Sequence, residues 1–299
     1  MILRLLILFS LLILCACSKQ DQAHYTPMLW KVTGKQLKTT SYIFGTFHTK
    51  DPNFETFPPA VLSKLSQSDR LYTEIIMNNR TQKEISRFTK TSHPQKLEKL
   101  LHPKTTKLLL HYLINNKLPY TLKTLKAFKV WAIAIMLENQ EKPLKTKSSL
   151  FMDERLVTYA KKKHIKCNGL ETPKEQLIYF DTLNKSQQEQ FLLSVLQEEK
   201  KDAYKTALKF WYTQGEAKGF LTLQEKYASN DIRQKKLDAI LVKGLLLERN
   251  ARFVRRIDIL LQNNKTLSYF FAIGAGHLSD KKGIVSTLKQ LGYQLEKVY

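Results

Sequence analysis

The feature that most constrains this fold is a pair of similar units near opposite ends of the chain. Residues 42–48 read YIFGTFH, and residues 269–277 read YFFAIGAGH. In each unit, an apolar and aromatic run typical of a buried strand leads to a glycine and, three positions later, a histidine. Two such units predict that both ends of the chain supply strands to one sheet and histidines to one site.

Strand-like segments lie towards both ends of the chain, and helical periodicity dominates between them. Apolar residues at three- and four-residue spacing predict a helical middle over about 85–145 and 185–235, and one long helix over 237–263. The predicted strands are residues 29–32, 41–44, 70–77, 164–171, 268–273 and 293–298. We therefore expect an α/β fold, with a mixed central sheet built from N- and C-terminal strands and a large helical insertion or cap.

The first sixteen residues are typical of an export signal, because one arginine precedes an almost continuous apolar run that is too short to span a bilayer. Residues 14–17, LCAC, resemble a bacterial lipobox, which predicts acylation of Cys17 and a tether over residues 17–27 before a domain over 28–299. Ser18 favours the outer membrane, facing the periplasm, by resemblance to bacterial sorting signals. We expect a lipid-anchored protein of the cell envelope; an ordinary cleaved signal or a short signal-anchor is the alternative.

The chain is strongly basic, with 49 Lys and Arg against 26 Asp and Glu and a formal net charge of +23. Such a charge can indicate nucleic-acid binding. No nucleic-acid motif accompanies it, and the export signal argues against that class, so we expect no nucleic-acid partner. The lysines are scattered as on solvated helix faces, and attraction to an anionic membrane surface would be a secondary effect.

Polar residues end or follow four of the predicted strands: His48, Glu74, Glu171 and His277. In open α/β sheets, ligands bind beyond the carboxyl ends of the strands, where loops from several strands meet. Glycines would let the backbone turn sharply there and approach a ligand closely. The glycines in question are Gly45, Gly274 and Gly276.

Two imidazoles with one or two carboxylates would suit a divalent metal ion such as Zn, Mn, Co or Fe. His48, Glu74 and His277 would bind the ion, which would generate hydroxide from water, with Glu74 as ligand or general base. Without a metal ion, the same residues form a histidine–carboxylate acid/base pair. Glu171 is a further candidate ligand, a carboxylate that orients an imidazole, or part of the cap of the next helix.

Arg249 and Asn250 lie in the middle of the predicted long helix. Arg249 could clamp a substrate carboxylate or stabilise oxyanion charge, or it could pair with a buried acid such as Asp153. We count Arg249 among the catalytic candidates, and Asn250 and Asp153 among the residues that support the site.

The chain also resembles the TraB/GumN family, within a broader group that includes TIKI metalloproteases, erythromycin esterases and haem-binding ChaN-like lipoproteins. The resemblance is carried in order by SYIFGTFHT, SDRLYTEI, FMDERLVTYAKKKHIKCNGLETPKEQL, LLLERNARFVRRI and FFAIGAGHLSDKKGIVSTLKQLGYQLEKV. It implies a metal-dependent hydrolase, or a hydrolase-like pocket, whose active site corresponds to His48, Glu74 and His277. Asp280 stands where the family commonly has a glycine, so we expect this loop to be remodelled, although Gly283 is kept.

These observations predict a membrane-anchored, metal-dependent hydrolase that acts on peptides or on another small extracytoplasmic amide or ester. One alternative is a non-catalytic lipoprotein that binds a peptide signal or haem in the same crevice. Another is a surface adhesion or assembly factor whose hydrolase fold has lost its chemistry. The hydrolase reading requires His48 and His277 to share one pocket with an acid.

Overall fold

The computed structural model describes residues 25–49, 51–139, 150–197, 201–216 and 220–298. The predicted signal over 1–16, the predicted acylation site Cys17 and most of the predicted tether lie outside these residues. Tyr25, which belongs to the segment predicted as a tether, is buried beside the rings of Phe54 and Tyr212. Among the described residues, no helix is both long and apolar enough to cross a membrane.

One mixed sheet of six strands organises the described part of the chain. The strands are β1 (Leu29–Gly34), β2 (Ser41–Thr46), β3 (Arg70–Thr73), β4 (Lys166–Gly169), β5 (Tyr269–Gly274) and β6 (Tyr293–Lys297). Their order across the sheet is β4-β3-β5-β2-β1-β6. Strands β2 to β5 are parallel, whereas β1 runs antiparallel to β2 and β6. The predicted α/β fold with a mixed sheet is confirmed.

Helices cover the sheet and build the cap. In chain order they are α1 (Pro59–Ser66), α2 (Asn79–Thr89), α3 (Leu97–Leu100), α4 (Pro103–Asn115), α5 (Leu122–Leu125), α6 (Val130–Glu138), α7 (Met152–Lys162), α8 (Pro173–Asp181), α9 (Lys185–Leu196), α10 (Lys201–Thr213), α11 (Phe220–Lys226), α12 (Ile232–Leu241), α13 (Arg249–Asn263) and α14 (Ile284–Gln290). Short 3-10 turns span Pro52–Phe54 and Ala275–His277.

The sheet is buried on both faces because its central strands are continuously apolar rather than alternating. All residues of β2 are buried, and in β5 only the final glycine is partly exposed. One face packs against α1 and α7 through residues such as Val61 and Leu156. The other face packs against α13 and α14 through residues such as Phe253 and Leu288.

The middle of the chain forms a helical cap with apolar clusters of its own. Helices α3 to α6 and α9 enclose one cluster, which includes Leu109, Ile133 and Leu192. A second cluster surrounds Trp131, whose ring stacks on Phe180 of α8. This cap corresponds to the predicted helical middle, of which residues 140–149, 198–200 and 217–219 lie outside the described part.

The helix predicted over residues 237–263 is three segments in the structure. Helix α12 ends at Leu241, a π-helix spans Val242–Glu248, and α13 begins at Arg249. A Cβ atom at Gly244 would lie 2.5 Å from Cδ1 of Tyr179, so glycine allows the π-helix to pack closely on α8. The single predicted helix is therefore wrong in this detail.

Two predicted strands are shorter than expected. Strand β3 ends at Thr73 instead of residue 77, and β4 ends at Gly169 instead of residue 171. Backbone hydrogen bonds continue briefly beyond them, since the N–H of Glu171 donates to the carbonyl of Glu74. Both acids consequently lie just outside the carboxyl end of the sheet.

Candidate active site

The parallel strands bring the predicted polar residues to one edge of the sheet. His48 follows β2, Glu74 follows β3, Glu171 follows β4, and His277 follows β5. A cavity of about 400 Å³ lies at this edge, and His48, Glu74 and His277 all line it. The two histidines thus share one pocket with an acid, while Glu171 lies outside its lining.

The opposite part of the cavity wall is apolar and comes mainly from the cap. Helices α10 and α11 contribute Leu208, Trp211 and Leu223, and the π-helix contributes Leu245 and Leu246. Glu216 also lines the cavity, but most of the side chains that the cap contributes favour apolar groups.

His277 is buried, and Asn250 of α13 orients its imidazole. Its Nδ1 lies 2.6 Å from Oδ1 of Asn250, whose amide nitrogen donates to the carbonyl of Lys282. Because that amide donates elsewhere, its oxygen accepts from the Nδ1–H of His277, and the lone pair remains on Nε2. Burial lowers the pKa of His277 to about 4, against the opposing effect of Glu74, so the ring is neutral at pH 7.

Glu74 is held ionised at the edge of the cavity. Its Oε1 accepts from the backbone N–H of Gly274 at 2.8 Å, and its Oε2 accepts from Arg249 at 2.6 Å. Burial opposes the charge, but His277, Arg249 and the Gly274 N–H outweigh it and lower the pKa of Glu74 to about 2. The Nε2 atom of His277 lies 3.8 Å from Oε1, a gap that one water molecule can bridge.

Two arginines of α13 hold Glu171 behind Glu74. Oε1 of Glu171 lies 2.5 Å from Arg249, and Oε2 lies 2.9 Å from Arg252. Arg249 therefore pairs with Glu74 and Glu171 and not with Asp153, the partner considered from the sequence. Arg252 was not predicted, although its three-residue spacing from Arg249 places both on one side of the helix.

Asp153, near the start of α7, meets the site through Thr46. Thr46 lines the cavity. Its hydroxyl donates a hydrogen bond to Oδ1 of Asp153 at 3.0 Å. Burial and the nearby Glu74 carboxylate raise the pKa of Asp153 to about 7. Two neighbouring acids with pKa values pushed apart are a pattern found at functional sites.

His48 lies at the exposed side of the cavity. Its imidazole stacks on the ring of Phe151, with centroids 3.7 Å apart and planes 18° apart. Phe151 was not among the predicted residues, although it directly precedes α7, the helix that carries Asp153.

Comparison with known proteins places the chain in a family. The sequence profile of the TraB/PrgY/gumN family matches residues 28–297. The chain belongs to this family. The resemblance inferred from the motifs is therefore confirmed.

Curated relatives of this TraB/PrgY/gumN protein include animal metalloproteases. Metalloprotease TIKI2 of Danio rerio is 42% identical over 60 residues, which are 20% of this chain and 12% of that protein. The Metalloprotease TIKI homolog of Nematostella vectensis is 35% identical over 66 residues, 22% of this chain and 14% of that protein. Metalloprotease TIKI1 of Homo sapiens is 32% identical over 65 residues, 22% and 13% of the two chains. Each match covers a small part of the relative, and no solved structure matches the chain significantly.

The glycines of this family member act mainly by permitting close contacts. Gly45 lies inside β2, so the turn expected there is absent, and a Cβ atom would lie 3.0 Å from Cβ of Met28. At Gly274, which ends β5, a Cβ atom would lie 3.0 Å from Oε1 of Glu74. Gly276 lines the cavity.

In the loop after His277, Asp280 adopts the backbone conformation that glycine favours. Asp280 has a φ of 70°, in the left-handed region that aspartate tolerates better than most residues. Gly283 is indispensable to the same loop, because a Cβ atom there would lie 1.9 Å from the carbonyl oxygen of Ser279. These geometries explain why a glycine suits position 280 and how aspartate replaces it.

The predicted metal centre does not fit the side chains as they are arranged. Within the described ranges, no three His, Cys, Asp or Glu side chains are grouped so that they could hold a metal ion. Both oxygens of Glu74 and of Glu171 accept hydrogen bonds from protein donors. A catalytic zinc requires three protein ligands, and His48, Glu74 and His277 line the same cavity without being grouped closely enough to supply them.

Proposed function

We propose that this protein is a peptidase-like hydrolase of the cell envelope, anchored to a membrane by acylated Cys17. The observation that carries the proposal is the position of His277, whose Nε2 lies 3.8 Å from the Glu74 carboxylate at a cavity of about 400 Å³. His48 lines the same cavity. The metalloprotease names of the relatives support the peptidase class.

In the proposed reaction, His277 is the general base. Its Nε2 accepts a proton from water as the water oxygen bonds to the substrate carbonyl carbon. The C–N bond then breaks as the tetrahedral intermediate collapses, and the departing amine takes that proton from Nε2. Asn250 keeps Nδ1 protonated, and ionised Glu74 stabilises the imidazolium that forms. Arg249 holds Glu74 in position, and His48 contacts the substrate at the exposed side of the cavity.

A divalent metal ion, Mn, Co, Zn or Fe, is the cofactor that the names of the relatives suggest. Since the described side chains do not form a three-ligand set, every step above is assigned to protein groups. Metal analysis of the purified protein therefore belongs to the test of this function.

The substrate class we propose is a peptide, or another small extracytoplasmic amide or ester, and no nucleic acid is involved. The apolar wall formed by Leu208, Trp211 and Leu245 favours substrates with an apolar group beside the reacting bond. The same wall would serve the alternative function, non-catalytic binding of a peptide or haem.

The test is a peptide-library cleavage assay on the full-length protein, with and without chelator, together with metal analysis. His277→Ala should lower turnover by about 100-fold or more, because it removes the general base. His48→Ala should also lower turnover. His164→Asn is the matched control, because His164 is exposed, does not line the cavity and has a φ of 57° that asparagine tolerates.

Each outcome separates the candidate functions. Unchanged turnover in His277→Ala would overturn the assignment of the base. Stoichiometric metal that is lost in His277→Ala, with cleavage abolished by chelator, would show that the side chains rearrange around an ion. Peptide or haem binding without any cleavage would favour the non-catalytic alternative.

A further inference from the structure

A separate feature lies on the cap, where helices α4 and α5 form a basic surface. Residues 99–137 contain seven lysines and neither aspartate nor glutamate. In α7 and α12, by contrast, the sequence contains both basic and acidic residues. This segment therefore concentrates positive charge without acids of its own.

Large apolar side chains are exposed on the same surface. On α4, Leu110 is 40% exposed and Ile114 is 73% exposed. Lys107, Leu110 and Ile114 follow three- and four-residue spacing, so they share one face of the helix. Exposed apolar groups beside lysines make this face amphipathic in a way that a purely solvated helix would not require.

A groove extends this face between the end of α4 and α5. Its volume is about 610 Å³. Leu110, Ile114 and Leu122 line it together with Lys117 and Lys123. The groove thus offers apolar surface and cationic groups within one depression.

We propose that the α4–α5 face, defined by Lys107, Leu110, Ile114, Lys117 and Lys123, docks on an anionic lipid surface. The lysines would contact headgroup phosphates, while the two apolar side chains would enter the boundary with the acyl chains. An acidic protein would match the charge alone, and a neutral apolar partner would match the groove alone. An anionic lipid surface matches both.

This contact is distinct from an anchor at Cys17 and requires no hydrolysis. Its effect would be to fix the orientation of the cap relative to the membrane. Docking depends on the charge of the lipid, whereas anchoring by acyl chains does not, so the two can be measured separately.

The test places a polarity-sensitive fluorophore at position 114 of the full-length protein. Ile114→Cys is introduced with Cys167→Ser, which removes a half-buried thiol, and the protein is reconstituted into phosphatidylcholine vesicles with or without phosphatidylglycerol. We expect a blue shift and brighter emission only with the anionic lipid. The parent protein, in which Ile114 is unchanged, is labelled in the same way. Its emission measures the signal from dye attached to the other cysteines.

Two matched controls make the result specific. Ile232→Cys, at a residue that is 70% exposed on α12, should show no shift. Lys117→Gln with Lys123→Gln should lower the equilibrium constant for docking by about tenfold or more. Lys235→Gln with Lys236→Gln, the same change of charge on α12, should leave that constant unchanged.

Three results would overturn the proposal. The first is no response at position 114 with anionic vesicles, and the second is an equal response at position 232. The third is an equal response to soluble polyglutamate, which would assign the face to an acidic protein.

Discussion

Glu74 and Asp153 belong to one site but ionise very differently. Glu74 accepts hydrogen bonds from Arg249 and Gly274, which favour its charged form. Asp153 accepts from the neutral hydroxyl of Thr46 and lies near the negative charge of Glu74, and both burial and that charge favour its protonated form. At neutral pH the site therefore holds one carboxylate and one acid that is close to its titration point.

Replacing Asp153 with asparagine should make stability less dependent on pH. The pKa of Asp153 is about 7 in the folded protein and about 3.9 in the unfolded chain. Its contribution to stability is therefore complete below pH 4 and is lost as the pH rises to about 7. Relative to the wild type, the free energy of unfolding of Asp153→Asn should rise by about 2 kcal/mol between pH 4 and pH 8. The whole pKa difference would give a larger value, but Asp153 is partly exposed, and solvent reduces the effect.

Thermal unfolding of both proteins across this pH range measures the difference. The wild-type dependence of stability on pH is subtracted from that of Asp153→Asn. Where the substitution leaves Glu74 and His277 unaffected, their contributions cancel in this difference. A difference that stays constant from pH 4 to pH 8 would contradict the raised pKa of Asp153.

At the residue level, the sequence could predict which side chains meet at the cavity, although their roles stay predictions. His48, Glu74 and His277 follow strands, and parallel strands bring such residues together whatever lies between them in the chain. Arg252 and Phe151 were missed because their roles depend on which helix face meets the sheet. That packing is a tertiary property, which local sequence patterns do not contain.

At the level of elements, the π-helix Val242–Glu248 connects the cap to the site. Its residues Leu245 and Leu246 line the cavity. The carbonyl of Leu245 accepts from Nη1 of Arg249, the residue that holds Glu74. The π-helix therefore contributes to both the apolar wall and the support of the carboxylate, in keeping with the frequent occurrence of such helices at functional sites.

Gly244→Ala should destabilise the protein by about 1–3 kcal/mol, because the new methyl group would overlap the ring of Tyr179. Urea unfolding provides the measurement. Tyr179→Ala combined with Gly244→Ala should cost less than the sum of the two single changes. Additive costs would mean that the packing of the π-helix does not depend on this contact.

Hydrophobic periodicity predicted that residues 237–263 are helical, but it could not resolve the change in helix type. The α- and π-helical periods differ too little to be separated within seven residues. The relevant clue, Gly244, is a single residue whose meaning depends on the ring that packs against it. The strands were easier to predict, because the buried runs of β2 and β5 are apolar throughout.

For the molecule as a whole, the cavity depends on the docking of the cap against the sheet. The Tyr212 hydroxyl of α10 donates to the carbonyl of Gly45 in β2 at 2.8 Å. The backbone N–H of Thr26 donates to the carbonyl of Thr213, and Lys209 lies 2.7 Å from Asp51. These contacts fix one apolar wall of the pocket relative to the strand ends.

Tyr212→Phe should loosen this wall. The change leaves the buried carbonyl of Gly45 without its side-chain donor, at a cost of about 1–2 kcal/mol. Hydrogen–deuterium exchange should become faster over residues 201–216. Tyr227→Phe, on a partly exposed tyrosine after α11, should have little effect, and unchanged exchange in Tyr212→Phe would argue against this role of the hydroxyl.

The neighbouring positions of β2 and β5 also determine when the protein can fold. The backbone N–H of Tyr269 donates a hydrogen bond to the hydroxyl of Ser41, 228 positions away in the chain. Contacts between such distant segments slow folding. Strand β5 also joins β3 and β4 to β2, so a nascent chain that lacks it can form only separate pieces of the sheet. Assembly of the pocket must therefore follow synthesis of β5.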